Sequence, residues 1–248
     1  MNSFDIILVD TEDLLDACIN DLSSTDTRHI SKLAIDLEGV ELCRIGRIST
    51  LQIIADGSQT IWIIDITVLG KLAFDHVDSE GRSLRQILES TETQKLLYDV
   101  RNDADALIHL YGIELANTYD LQLLEVAVRR SCNLRVRLVS GLGKAIETYI
   151  KPPAQWEQVK RAGAALCFPD KGGSYDAFEK RPLDARVIEY AAQDVSLLFE
   201  LEKILEGRIG SFGNDWMGRV SQASAARVHE AYGAYAGHGQ HRALAPTV

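Results

Sequence analysis

Apolar positions along the first quarter of the chain come in short alternating or continuous runs, and beyond that they fall increasingly into steps of three and four. Residues 4–9 read as a short strand. Residues 11–22 read as an amphipathic helix with Thr11 as its N-cap, because a threonine oxygen there can accept from the first unpaired amides. Three Ile- and Leu-rich segments, 33–38, 50–55 and 61–66, are separated by Gly-containing or polar turns and predict an antiparallel meander. The order then alternates, with a helix over 84–89, a strand over 95–100, a helix over 103–111, a short strand at 118–120 and a helix over 121–130. Another helix over 140–149 is stopped by Pro152 and Pro153, since proline lacks the amide hydrogen and clashes with the preceding turn. The following stretch, punctuated by Gly172, Gly173 and Pro182, reads as loop-rich, and 187–205 reads as the longest helix. After Ala223 the chain drifts into Ala, Gly, His and Tyr, which predicts a frayed helix and a mobile tail containing His229, His238 and His241.

Three antiparallel strands followed by helix and strand in alternation is an α/β layout that resembles the ribonuclease H-like fold: a mixed sheet, antiparallel then parallel, flanked by helices. Residues 1–210 are expected to form one domain with its core over 30–205, and 211–248 a C-terminal helix and flexible tail. Composition excludes disorder, with 46% hydrophobic and 25% charged residues. No apolar run approaches the ~20 residues of a membrane helix, and residues 1–15 are acidic where a secretory signal would be basic. A cytoplasmic or nuclear address, without secretion, is the expectation. Cys18, Cys43, Cys132 and Cys167 are widely spaced, which suits reduced thiols better than zinc ligation.

A net charge of −10 argues against a nucleic-acid partner until its distribution is considered. Residues 129–186 carry twelve Lys or Arg against six Asp or Glu, which leaves the acidity on the rest of the chain. From charge alone that segment reads more readily as a set of solvated helix faces than as a phosphate-binding surface.

Three clusters carry candidate chemistry. In the strand around Lys32-Leu33-Ala34-Ile35-Asp36-Leu37-Glu38, the period of two puts Leu33, Ile35 and Leu37 on one face and both carboxylates on the other. Two same-side carboxylates repel unless the face is wet or a divalent cation sits between them. Around Asp99-Val100-Arg101-Asn102-Asp103 a strand runs into a helix at the carboxyl end of the sheet, where ligands are often bound. Asp103 falls on the inward stripe with Leu107 and Leu110 and Asp105 faces outward, although Asn102 or Asp103 could equally cap the helix. In the last long helix, Asp194 interrupts an apolar stripe one turn after Tyr190. A buried carboxylate must neutralise, find a cationic or phenolic partner, or bind a metal.

Taken together, Asp36-Leu37-Glu38, Asn102-Asp103 and Tyr190-Ala191-Ala192-Gln193-Asp194 resemble the three motifs of the DEDD 3'-5' exonuclease superfamily. The histidine subtype carries histidine five residues before the last aspartate; Glu189 stands there, so the tyrosine subtype is implied. The segments 44–53, 99–103 and 171–183 narrow the resemblance to the Egalitarian-like branch, related to RNase D and the Werner syndrome exonuclease. Two departures are Gly39 after the first motif and the absence of a further globular domain after the exonuclease region. The resemblance implies that Asp36, Glu38, Asp103 and Asp194 hold two Mg²⁺ or Mn²⁺ ions and that Tyr190 orients the attacking water. It further implies that Arg44, Arg101, Asn102, Lys171, Lys180 and Arg181 meet nucleic acid. The expected activity is stepwise hydrolysis of RNA or single-stranded DNA from 3' ends to nucleoside 5'-monophosphates. The alternatives are a catalytically weak or inactive RNA-binding adaptor and a hydrolase of small phosphate esters.

Overall fold

A computed structural model of the chain describes residues 4–23, 32–210, 215–237 and 239–248. The expected start of the core at residue 30, and His238, lie outside the described residues. Strand β1 (Asp5–Val9) leads to helix α1 (Glu12–Ser23), whose first turn is capped by Thr11 Oγ1 accepting from the Leu14 amide at 3.4 Å. Strands β2 (Lys32–Val40), β3 (Arg47–Ala55) and β4 (Thr60–Asp65) follow, then the short helices α2 (Ile66–Leu69), α3 (Leu72–Asp75) and α4 (Leu84–Glu89). The second half runs β5 (Gln94–Leu97), α5 (Arg101–Ala106), β6 (Thr118–Asp120), α6 (Leu121–Ser131), α7 (Leu142–Tyr149) and α8 (Ala154–Cys167). It closes with α9 (Ala185–Ser196), α10 (Leu198–Arg208) and α11 (Trp216–His229).

The six strands form one mixed sheet in the order β1-β4-β3-β2-β5-β6. The predicted meander is present: β2 pairs antiparallel with β3, and β3 with β4, while β5 runs parallel to β2 and to β6. Strand β1 adds a parallel edge to β4. This is the ribonuclease H-like arrangement. Alternation in β2 works as the period of two requires. Leu33, Ile35 and Leu37 enter the core under α1 and α4, and Ala34 enters the opposite core under α6, α9 and α10. Strand β3 is buried from Ile48 to Ile54, as expected of a strand covered on both faces.

Several expectations need correction. The first part of the stretch after Pro153 is not loop: Pro153 stands at the N-cap of the 14-residue helix α8, where a missing amide hydrogen costs nothing, while residues 168–184, around Gly172, Gly173 and Pro182, are loop and short 3-10 turns as expected. The long helix over 187–205 is two helices, broken at Leu197, whose backbone leaves helical geometry at φ −116° and ψ 4°. The helix over 103–111 begins earlier, at Arg101, and widens into a π turn over Leu107–Tyr111. At the other end, α11 packs on β6 and α6, and the segment after it is hydrogen-bonded to the domain. The Val139 amide donates to Ala243 O at 2.9 Å and the Ala245 amide to Arg137 O at 3.0 Å. Among the described residues, no helix is long and apolar enough to cross a membrane, and all four cysteines are free thiols.

Candidate active site

The geometry of the site starts with where pairing stops. Strand β5 accompanies β2 through Ala34 and no further, so Asp36 and Glu38 extend past it into a crevice at the carboxyl end of β5. The register of β2 against β3 shifts between Glu38 and Gly39. A Cβ at Gly39 would stand 2.0 Å from Arg47 O, so the bulge that ends the acidic strand requires glycine at this position. From the sheet face, α9 crosses β2, β3 and β4 and lowers Tyr190 and Asp194 onto the same crevice. Carboxylate oxygens of Asp36, Glu38 and Asp194 lie within 4.8 Å of one another.

Burial and crowding shape the electrostatics. Burial pushes the carboxyls of Asp36 and Glu38 well above the usual carboxylate range, and the charge of Asp194 pushes both further. Asp103, 5% exposed at the start of α5, adds to the repulsion felt by both; it is outside the 4.8 Å set but belongs to the same acidic pocket. Burial, then the charges of Asp99 and Asp120, raise Asp103 itself. Burial followed by the charges of Asp194, Glu38 and Asp36 raises the Tyr190 phenol, which therefore stays protonated and able to donate.

One cation answers this negative charge, and the sequence reading missed it. Lys160 Nζ on α8 lies 2.5 Å from Asp194 Oδ1 and 3.4 Å from Tyr190 O, and it sits over the Tyr190 ring at 3.6 Å from the centroid. The close approach of α8 to α9 depends on Gly163, where a Cβ would fall 2.2 Å from Tyr190 Cβ. The spacing of Trp156, Val159, Gly163 and Cys167 is the sequence signal that could have revealed this helix and its inner face. The other oxygen of Asp194, Oδ2, is buried and accepts no hydrogen bond among the described residues. A buried carboxylate oxygen left open beside two further carboxylates is the donor set a hard divalent cation takes, so the residues fit such an ion.

The residues expected to meet nucleic acid are engaged differently. Arg44 binds Asp105 through Nη2 at 2.7 Å and Nε at 2.9 Å, and donates to Ala231 O and Gly233 O. This pair corrects the outward placement of Asp105, which is 3% exposed. Arg101 forks onto Asp99 at 2.5 and 2.6 Å, and Asn102 Oδ1 accepts from Arg242 at 2.8 Å. Arg181 forks onto Asp65 at 2.5 and 2.6 Å, tying the segment before α9 to the end of β4. Lys171 and Lys180 are exposed to solvent.

The mixed sheet and its acidic crevice define a nuclease-type site of the ribonuclease H-like class. A profile of the 3'-5' exonuclease family matches residues 6–209, and the chain belongs to that family. Among curated proteins it is similar to the piRNA biogenesis protein EXD1 of Mus musculus and of Homo sapiens, each 35% identical over 101 residues, or 40% of this chain. Those segments are 16% and 18% of the two relatives, so the likeness spans less than a fifth of their length. Among solved structures, Trypanosoma brucei RNase D in complex with GMP superposes with a TM-score of 0.70 at 22% identity, covering 92% of this chain and 64% of that one. Escherichia coli RNase D gives 0.64 at 19%, covering 94% and 52%. Brucella melitensis NrnC bound to pGG gives 0.59 at 20%, covering 95% and 98%. Identities at this level show the shared fold.

Proposed function

We propose that the protein is a metal-dependent 3'-5' exonuclease that removes nucleoside 5'-monophosphates from 3' ends of RNA or single-stranded DNA. The observation that carries this reading is the convergence of Asp36, Glu38 and Asp194 within 4.8 Å, with Asp194 Oδ2 buried and open. Asp36, Glu38 and Asp194, with Asp103 from the start of α5, would hold two ions, Mg²⁺ or Mn²⁺. When bound, such ions polarise the phosphate and lower the pKa of an attacking water. The chain's own residues do the rest. Tyr190 keeps its proton and donates from the wall of the crevice, which suits it to orient the nucleophile or a phosphate oxygen. Phe168, just past the end of α8, backs Tyr190, their rings meeting edge to face at 5.9 Å. Lys171 and Lys180 are available to the backbone of a bound strand. Family relatives by fold that are bound to GMP, to RNA U12 or to pGG support a nucleic-acid partner.

A second reading, an RNA-binding adaptor with little or no turnover, is favoured by one observation. Lys160 Nζ already occupies Asp194 Oδ1. Incubation of the full chain with 3'-labelled and 5'-labelled RNA and DNA, in Mn²⁺ or in EDTA, separates the readings. Laddering from the 3' end in Mn²⁺ alone is expected. Binding without cleavage would favour the adaptor, and turnover of mononucleotides alone would favour the small-ester hydrolase.

A further inference from the structure

The acidic crevice holds a cation of its own. Lys160 reaches it from α8, a helix that contributes no carboxylate to the cluster, and its position is fixed from three sides. Asp194 Oδ1 lies at 2.5 Å, the carbonyl oxygen of Tyr190 at 3.4 Å, and the face of the Tyr190 ring at 3.6 Å. An ammonium over an aromatic face and against a carboxylate satisfies both its charge and its donors. The side chain is 17% exposed, so the pairing is not a loose surface contact. Gly163, three residues on and one helical turn away, removes the side chain that would hold α8 off Tyr190. The helix packing is thus built so that Lys160 lies along the ring and delivers its charge to Asp194.

We infer that Lys160 is a built-in counter-cation that competes with a divalent ion for Asp194, positions Asp194 and Tyr190 when the ion is absent, and sets the metal affinity of the site. This rests on the metal reading proposed above and says how that site is regulated. Asp194 cannot serve the ammonium through Oδ1 and a metal ion through the open Oδ2 at full strength together, because two cations a few ångström apart repel strongly even at the effective dielectric of ~20 found near protein sites. Metal binding therefore works against the Lys160–Asp194 pair, and the ammonium it releases stays in the crevice, free for a phosphate oxygen. The charges agree with this. Four carboxylates and one phosphodiester carry five negative charges, which two divalent ions leave one short of neutral, and Lys160 supplies the missing one.

The test is a Mn²⁺ titration by calorimetry of the full chain, without nucleic acid, for wild type, Lys160→Met, Lys160→Gln and Lys160→Arg. Removing the competing charge is expected to lower the Mn²⁺ Kd at least ten-fold, equivalent to about 1.4 kcal/mol, in both neutral variants. Lys160→Arg, which keeps the charge, is expected to stay near wild type. In EDTA the neutral variants should unfold at lower temperature than wild type, and saturating Mn²⁺ should close that gap. Should Lys160→Met fail to fold, Lys160→Gln retains a donor to Asp194 and carries the test. Unchanged or weaker Mn²⁺ binding in the neutral variants would overturn the inference while leaving the metal site intact. Failure of every form to bind Mn²⁺, or Asp194→Asn binding it as wild type does, would instead overturn the metal site itself.

Discussion

Two groups of buried and half-buried carboxylates lie side by side at the carboxyl end of the sheet, and they are compensated in opposite ways. Around the start of α5 three acids each have a guanidinium. Asp120 takes Arg227 at 2.6 Å, Asp99 takes Arg101 at 2.5 Å, and Asp105 takes Arg44 at 2.7 Å. Asp120 also accepts from the Asp99, Val100 and Gln122 amides, which fixes the turn into α5 and caps α6. In the neighbouring crevice Asp36, Glu38 and Asp194 share the ammonium of Lys160, while Asp103 is raised by burial and by the charges of Asp99 and Asp120. Residue type does not distinguish the groups; the supply of cations does. A region that buries acids and pairs each of them is architecture, whereas one that buries more negative charge than it can pair is poised to take up cations.

The comparison breaks most visibly at Arg227. Its side chain is 4% exposed and Asp120 is fully buried, so Arg227→Met strands a charge in the interior. A loss on the order of 3–5 kcal/mol of folding stability is expected, read by denaturant unfolding. A loss under about 1 kcal/mol would mean that the paired cluster is not what holds this end of the sheet. The crevice should respond in the other sense. Asp36→Asn removes a source of repulsion, so in EDTA its melting temperature should equal or exceed that of wild type. Cleavage should fall by at least ~10²–10³, the scale of losing one aligned electrostatic group. A variant that unfolds early in EDTA, or that cleaves normally, would dissolve the distinction between the two groups.

Gly163→Ala sharpens it at smaller scale. The added methyl would sit 2.2 Å from Tyr190 Cβ and 2.6 Å from Cγ, so α8 must move off α9. Overpacking of this kind costs about 1–3 kcal/mol, and it should also reduce cleavage because Lys160 and Tyr190 lose their mutual register. Stability lost with turnover untouched would show that the α8–α9 contact is not part of the site.

Much of this was legible in the residues. Alternation in β2 assigned Asp36 and Glu38 to one face, and the four-residue step from Tyr190 to Asp194 assigned them to one turn, because both facts depend on local periods. What escaped depends on partners distant in the chain. Asp105 is drawn inward by Arg44, sixty-one positions earlier, across the β2–β3 turn. Arg101 and Asn102 are both drawn in by Arg242 from the far end of the chain, Arg101 donating to its carbonyl and Asn102 accepting from its guanidinium. Lys160 has no local signal because Pro152-Pro153 marks the end of one helix and equally the start of the next. The break at Leu197 likewise has no proline or glycine to announce it.

The crevice acids and Asp99 titrate in opposite directions, and melting temperature reads the difference. Burial, and after it the neighbouring charges, hold Asp36, Glu38 and Asp103 protonated to higher pH in the folded chain than in the unfolded one. Their contribution to stability is complete below the ordinary carboxylate range and drains away as pH rises through the raised folded values. Asp99 behaves inversely. Burial alone would raise it, but the Arg101 fork and the charges of Arg227 and Arg101 outweigh burial and hold it below its usual value. Its contribution is therefore present above the ordinary range and lost as pH falls through the lowered folded value. Melting temperature in EDTA, scanned from acid to neutral pH, should show both limbs, each at most about 1.4 kcal/mol per pH unit for every proton involved. Asp36→Asn should flatten the limb that falls toward neutral pH, and Arg101→Met the limb that falls toward acid. Saturating Mn²⁺ should flatten the first and spare the second, since a bound cation replaces the proton only where charge was left unpaired. If Mn²⁺ moved both limbs equally, or neither, the crevice would be no more receptive to cations than its arginine-paired neighbour.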